Sequence, residues 1–539
     1  MSSRHPLRRV RVLGAAAALA ALALLAGCYY GGNPFGPVQP AVEDPVPTPK
    51  PVETTDGPFG AFYDQQVDWR PCEDGFECAT ITAPLDWEDE GDDRTVELAA
   101  IRHPATGPHR IGSLFVNPGG PGASGYDFVA GGVDWFLSRS VIDAYDVVGW
   151  DPRGIGRSSG VTCFTDPEDI SEFLYYVPEA DYRTDPDAWV AEQLALGKKY
   201  ADACEANTGD VLEFIDTLST VRDLDLLRAV VGDEELHYLG YSYGTAIGAV
   251  YADEFPERVG RVVLDGVMDR EAPLADLNVS QQAGFELALT HFVEACPSFD
   301  GCPLTGDPDR DLPRIHQRIV DFQDQPVADR SSEAAAGRVM NGTTLRLAII
   351  QALYSDTLWP DLAAMLGQVL QSQPSTDIAW QLADMYNDFT PGVGYNSTLQ
   401  DALFAVYCVD YPVDTDPAVL ADTQERLEQA APTLTLDLPV YPDPVCSEWP
   451  YSYRGGQHGQ LSGKGAKPVL IVSTTGDPAT PYEEGVKLAD DLESGVLVSF
   501  DGEGHTAYSA YGDQCVVDAV DGYLVDGTVP EDGTWCEGF

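Results

Sequence analysis

The segment Gly240-Tyr241-Ser242-Tyr243-Gly244 constrains this chain more than any other, because of what stands on either side of it. Leu236 to Gly240 reads as a short buried strand, and residues 243–255 read as a helix. A serine placed where a strand turns directly into a helix must adopt a sharp turn, and flanking glycines leave the room that turn needs. The turn lifts the hydroxyl off the end of a sheet. It also sets it against a helix N-terminus, whose free amides favour developing negative charge. Glycine-flanked serines are common. The strand before and the helix after are what make Ser242 a candidate nucleophile.

The surrounding chain supplies the sheet. Short β-type runs fall at 77–83 and 95–102, and buried-strand runs at Ile111 to Val116, Tyr145 to Trp150 and Val259 to Leu264. Helical patterns fall near 125–138 and at 211–231, where Leu212, Ile215, Leu218, Val221, Leu224 and Leu227 recur at helical spacing. Strands alternating with helices predict a mainly parallel sheet covered on both faces, and with the strand–serine–helix turn at 240–244 the expected fold is that of an α/β-hydrolase. The rhythm stops after about residue 267. Residues 268–440 offer helix-like stretches near 281–295, 343–354, 358–371 and 417–430. The βα pattern resumes at Pro468 to Ser473, with a helix near 482–492, a strand at Val496 to Phe500 and a last helix near 510–524. The reading is a core at 58–267 and 441–539, with a large helical cap inserted at 268–440.

A serine needs a base, and in this fold the order along the chain is serine, acid, histidine. His505, in Gly502-Glu503-Gly504-His505, follows a strand run and is the one histidine after the acid position. His291 and His316 fall in the cap, and His458 precedes the next core strand. Asp477, in Gly476-Asp477-Pro478, follows the strand run ending at Ser473, where the orienting acid belongs. Asp490 and Asp491 are rivals inside a helix. The oxyanion calls for two donors: the Tyr243 N–H, and one from the glycine-rich loop Asn117-Pro118-Gly119-Gly120-Pro121-Gly122, with Gly120 preferred over its neighbour Gly119. No G-x-G-x-x-G follows a strand, and neither a phosphate loop nor H-E-x-x-H occurs. The chemistry expected here uses no metal and no cofactor.

Residues 1–28 read as an export signal: Arg8, Arg9 and Arg11, then an apolar run from Val12 to Leu25. Leu25-Ala26-Gly27-Cys28 resembles a bacterial lipobox, so Cys28 is the expected lipidation site and membrane contact is expected through that anchor alone. Residues 29–57 are rich in Pro and Gly and read as a spacer. The chain has eleven cysteines. Setting Cys28 aside leaves an even number, as a disulfide framework requires, which supports export. Chain order suggests Cys72–Cys78, Cys163–Cys204, Cys296–Cys302, Cys408–Cys446 and Cys515–Cys536, although sequence alone does not fix connectivity. The net charge of −56 excludes nucleic acid and anionic lipid as partners.

Taken together, Asn-Pro-Gly-Gly-Pro-Gly at 117–122, Asp151-Pro152-Arg153-Gly154, G-Y-S-Y-G at 240–244, Gly-Asp-Pro-Ala-Thr-Pro at 476–481 and Gly-His at 504–505 resemble the secreted tripeptidyl aminopeptidases of actinobacteria, relatives of the prolyl aminopeptidases. The likeness runs from about residue 65 to the end. It implies a serine exopeptidase acting on free N-termini of peptides or proteins. Ser242 would be the nucleophile, His505 the base, Asp477 its orienter, and Gly120 with Tyr243 the oxyanion hole. Pro118 departs from the H-G-G-P-G usual in prolyl aminopeptidases, which fits the tripeptidyl subgroup better. Such an enzyme must pair the substrate ammonium with a carboxylate, and Asp410 is one possible acid. An esterase with the same triad and, from another class, a non-catalytic peptide-binding lipoprotein are the alternatives.

Overall fold

The computed structural model describes residues 59–538 apart from 73–74, 177–178, 182, 329–334, 336–337, 415, 439–443 and 453–459. The export signal with Cys28, the 29–57 spacer, His458 and the 440/441 boundary lie outside the described residues.

The centre is a ten-stranded sheet. Its strands are β1 (Arg70–Pro71), β2 (Glu77–Pro84), β3 (Thr95–His103), β4 (Gly112–Asn117), β5 (Tyr145–Trp150), β6 (Leu236–Tyr241), β7 (Val259–Asp265), β8 (Val469–Gly476), β9 (Gly495–Glu503) and β10 (Thr534–Glu537). They lie in the order β1-β2-β3-β5-β4-β6-β7-β8-β9-β10. Pairing is antiparallel from β1 through β5 and parallel from β5 to β10. Composition explains the division. Every residue of β4 and β5 is buried, as a strand covered on both faces requires. β3 instead alternates exposed and buried residues at its start, the mark of a strand with one wet face.

Helices cover both faces. α1 (Thr217–Val230) is capped by Asp216, whose carboxylate accepts from Ser219 N at 2.8 Å. α2 (Tyr243–Glu254) leaves β6 directly through Ser242. Two helices that the sequence reading left unassigned, Pro167–Leu174 and Pro186–Thr208, intervene between β5 and α1. The ten paired cysteines form the same five couples that chain order suggests. The Cys515–Cys536 bond ties the short strand β10 to the helix Gln514–Asp521.

The long insertion is helical. Its members include α3 (Leu274–Ala295), Pro308–Asp324, α4 (Gly342–Leu353), Trp359–Val369, Asp377–Tyr386, α5 (Leu399–Asp410) and Pro417–Ala430. Phe285, Phe292, Ile319, Ile349, Leu362 and Trp380 form a hydrophobic cluster of their own there. Two small hairpins, Val327–Ala328 with Val339–Met340 and Phe389–Thr390 with Gly394–Tyr395, add strands that the pattern did not suggest. α5 behaves differently: its Ala405, Val406, Cys408 and Val409 join the cluster of the main sheet. Among the described residues no helix is long and apolar enough to cross a membrane.

Candidate active site

Ser242 stands between β6 and α2 with φ 53° and ψ −125°, a left-handed backbone that a non-glycine residue adopts only under constraint. Its N–H donates to the Asp265 carbonyl at the end of β7 (3.0 Å), which pins the turn to the next strand. The turn is tight enough that a Cβ on Gly244 would come within 2.7 Å of the Asn117 carbonyl. Tyr243 is the first helical residue, so its N–H is one of those without a partner inside the helix.

His505 lies just beyond β9. Its Nδ1 is 2.9 Å from each oxygen of Asp477, and Thr480 Oγ1 is 3.2 Å from the same nitrogen. Asp477 follows β8 and is almost fully buried. It accepts further from Ala479 N and Thr480 N (2.9 Å each) and from Thr506 N (3.0 Å). Its carboxylate is therefore saturated with donors on both oxygens and held in one orientation. Burial presses the His505 imidazolium to release its proton. The Asp477 charge and hydrogen bond, helped by Asp265, outweigh that pressure and hold the pKa above the ordinary histidine value. The His505 N–H donates to the Tyr354 carbonyl (2.9 Å) at the end of α4, and the two rings meet edge to face at 5.6 Å.

Asp265 is the group that sequence reasoning passed over. It ends β7, is fully buried, and accepts from Ala507 N (3.0 Å) and Tyr508 N (2.7 Å), so it moulds the loop after His505. Burial pushes its carboxyl up to about 7, with the two backbone donors opposing and Asp477 adding. The available signal was an acid closing the apolar run Val262-Val263-Leu264, at the same sheet edge as Ser242. Thr480 was missed too, although it belongs to the quoted segment at 476–481.

The glycine-rich loop lies against the serine turn. A Cβ on Gly119 (φ +92°) would come within 2.5 Å of Tyr241 O, 2.9 Å of Ser242 Cβ and 3.0 Å of Tyr243 N. The Gly119 N–H is already taken by Asn117 Oδ1 at 2.9 Å. Gly120, not Gly119, lines the cavity with Ser242. That cavity holds about 340 Å³. Its wall comes from both the sheet side (Ser242, Met268, Ala479, Thr480, Glu484) and the cap (Leu277, Arg346, Tyr354, Tyr386, Tyr407). Glu484 is its carboxylate among the described residues. Burial lifts that carboxyl to about 7, while it accepts from Ser280 Oγ and Asp269 N.

Asp410 has a different place from the one considered for it. It is buried behind the wall, accepting from Thr217 N (3.0 Å) and Thr217 Oγ1 (2.5 Å), with Arg270 at 3.5 Å. Thr217 Oγ1 in turn meets the Tyr243 hydroxyl at 2.6 Å. Asp410 thus braces the turn after the serine and does not line the cavity. His291 pairs with Glu503 (2.7 Å), and His316 Nδ1 lies 3.3 Å from the Thr433 carbonyl. Asp491 pairs with Lys487. Neither these histidines nor Asp490 and Asp491 line the cavity.

Comparison with known proteins agrees with this architecture. Residues 112–357 match the family model described as alpha/beta hydrolase fold, and residues 439–536 match the one described as TAP-like protein. The chain is 37% identical to Serine protease Hip1 of Mycobacterium tuberculosis over 491 residues, 88% of this chain and 91% of that protein. It is 35% identical to Carboxylesterase B of the same organism over 527 residues, 95% of this chain and 96% of that protein. Tripeptidyl aminopeptidase of Streptomyces lividans is 29% identical over 482 residues, 86% of this chain and 84% of that protein. The chain belongs to the tripeptidyl aminopeptidase family of α/β-hydrolases.

One segment that carries the family likeness serves the scaffold. Asp151 accepts from Ser124 Oγ and from Tyr126 and Arg157 N–H, holding the loops around the start of Gly125–Ala130. Arg153 is fully buried. It donates two hydrogen bonds to Asp223 (2.7 Å each) and others to the carbonyls of Pro84, Leu85 and Phe214.

Proposed function

We propose that this protein is a serine exopeptidase that releases short peptides, tripeptides by the likeness of its named relative, from free N-termini through an acyl-enzyme. The observation that carries the reading is the strained Ser242 turn in the wall of a capped cavity of about 340 Å³, which Thr480, the hydroxyl partner of His505 in the His505–Asp477 pair, also lines. That volume is at the small end of ligand sites and suits a few residues of peptide.

In this reading Ser242 Oγ attacks the scissile carbonyl, and His505 Nε2 takes its proton and later gives it to the leaving amine. Asp477, fixed by its N–H donors, keeps the Nδ1–H tautomer and stabilises the imidazolium. The N–H groups of Gly120 and Tyr243 hold the oxyanion; Gly119 is spoken for by Asn117. Water then enters, and the same histidine activates it to free the acyl peptide. Glu484 is the acid available to the substrate ammonium inside the cavity. The protein acts outside the cell, anchored by lipid on Cys28.

A second reading, an esterase with the same machinery, is favoured by the 35% identical relative named Carboxylesterase B. The test is a chromogenic tripeptide anilide with a free or an acetylated N-terminus, beside a short aryl ester. Cleavage of the free anilide with the acetylated one spared supports the exopeptidase; cleavage of the ester alone supports the esterase. Ser242→Ala should abolish every turnover with the fold intact, and retained turnover would sink the serine assignment.

A further inference from the structure

The buried arginines among the described residues have an acid to face, and the partly buried Arg346 stands apart from them. Arg153 pairs with Asp223, Arg228 with Asp225, and Arg270 with Asp410. Arg346 does not. It sits on α4 and lines the cavity that holds Ser242. Its Nη2 donates to Gln282 Oε1 at 2.9 Å, its Nε has no hydrogen-bond partner, and no carboxylate pairs with it among the described residues. Withdrawal from water pushes the guanidinium pKa down to about 10, with only the Tyr386 hydroxyl nearby to oppose the shift. A cation taken out of water without an anion is costly. In a chain with 87 acidic and 31 basic side chains, an acid to neutralise it would be easy to supply. The charge is left open on the side where substrate enters.

We propose that Arg346 binds a carboxylate of the substrate, the side chain of an aspartate or glutamate within the short peptide that occupies the cavity. The proposal rests on the exopeptidase reading for the kind of substrate, but not for the site itself. The planar fork of a guanidinium matches both oxygens of a carboxylate, which a lysine or amide in its place would not do equally well. The position suits a side chain of the acyl part and not the reacting atoms. Arg346 precedes Tyr354, the residue that holds the His505 N–H, by eight positions on one helix, about 12 Å along its axis. An extended peptide advances about 3.3 Å per residue, so roughly three to four residues span that distance. Asn278, Gln281, Thr344 and Asn387 in the wall are neutral, and its acid among the described residues, Glu484, accepts from Ser280 Oγ and Asp269 N and is not paired with Arg346.

The experiment measures kcat/KM for free tripeptide anilides in which glutamate replaces glutamine at each of the three positions in turn. The wild type should favour glutamate at one of them by about 30-fold or more, the usual scale for a desolvated charge pair. The preference should disappear as the pH falls through the ordinary glutamate range near 4.3. Arg346→Met should bring the glutamate-to-glutamine ratio to one or below, and Arg346→Lys should restore part of it. A wild-type ratio near one at all three positions, or a ratio that Arg346→Met leaves intact, would overturn the proposal. The wild-type measurement stands even if a variant fails to fold. If no anilide is cleaved while aryl esters are, the exopeptidase reading fails separately. The site is then tested on aryl hemisuccinate against aryl butanoate, where the same loss of preference in Arg346→Met is expected and an unchanged ratio refutes it.

Discussion

Replacing Asp477 with asparagine exchanges one carboxylate oxygen for an amide nitrogen, and the structure dictates which one. Oδ1 receives Ala479 N and Thr480 N as well as His505 Nδ1; Oδ2 receives Thr506 N and His505 Nδ1. An amide NH2 at Oδ1 would confront two backbone donors, so the amide oxygen takes that side and the NH2 turns to Oδ2. There it meets one backbone donor and the imidazole. His505 then becomes an acceptor at Nδ1, carries its proton on Nε2, and cannot take the proton of Ser242. A wrong tautomer of this kind costs about 10⁴ in kcat, or ~5.4 kcal/mol at 1.36 kcal/mol per decade. The stranded Thr506 N–H adds about 1–3 kcal/mol to the loss of stability. The residual activity should also move in pH. His505 owes its raised pKa first to Asp477, against burial, so without that charge the acid limb of kcat/KM should shift to lower pH. The assay is the pH profile of kcat and kcat/KM on the preferred chromogenic substrate, with a thermal melt on the same sample. A variant with a wild-type melt and kcat within tenfold of the parent, or with its acid limb unmoved, would refute the reasoning.

Three further outcomes can be tested. Gly119→Ala should lower kcat by about 10²-fold or more, because its Cβ would press on Ser242 and Tyr243 and shift the oxyanion donor; unchanged labelling of Ser242 by a fluorophosphonate would contradict this. Asp265 has a folded pKa of about 7 against an unfolded value near 3.9, so the native state holds an extra proton between them and loses stability as the pH rises through that window, by roughly 4 kcal/mol as an upper bound. Asp265→Asn can still accept from Ala507 and Tyr508 but cannot ionise, so melts from pH 4 to 8 should show its stability gaining on the wild type; parallel curves would refute the shift. Cys28→Ser should release the protein from the membrane fraction, and a variant that stays bound would place the anchor elsewhere.

Much of the site was legible because each of its parts ends a strand. Ser242, Asp477 and His505 all follow runs of buried β-type residues, and chain order then assigned their roles. The cap was less readable. Pro308–Asp324 has Ile315, Ile319 and Phe322 at helical spacing, but Pro313 and a crowd of charges conceal it. α5 has apolar residues on more than one side because it packs into the main cluster, so its pattern lacks a single stripe. Asp410 shows the cost of that. Its neighbours Cys408 and Val409 suggest a cap surface, yet the residue points into the buried cluster around Thr217. β10 spans four residues of which only Cys536 is buried, and its Cys515–Cys536 bond is a constraint that no local pattern reveals. Arg346 carries no motif at all. Its meaning lies in what does not surround it.

The bond from His505 N to the Tyr354 carbonyl has a consequence for how such enzymes diversify. The main chain of His505 is fastened to the end of α4, and α5 packs into the cluster of the main sheet, with its Cys408 bonded to Cys446 in the short helix Pro444–Ser447. The insertion is therefore not an exchangeable module with a clean seam. A chimaera that imports a relative's cap to acquire its substrate range also imports a new anchor for the histidine. Selectivity and turnover are inherited together, and new specificities should arise by point changes within the cavity wall more readily than by recombination of whole caps.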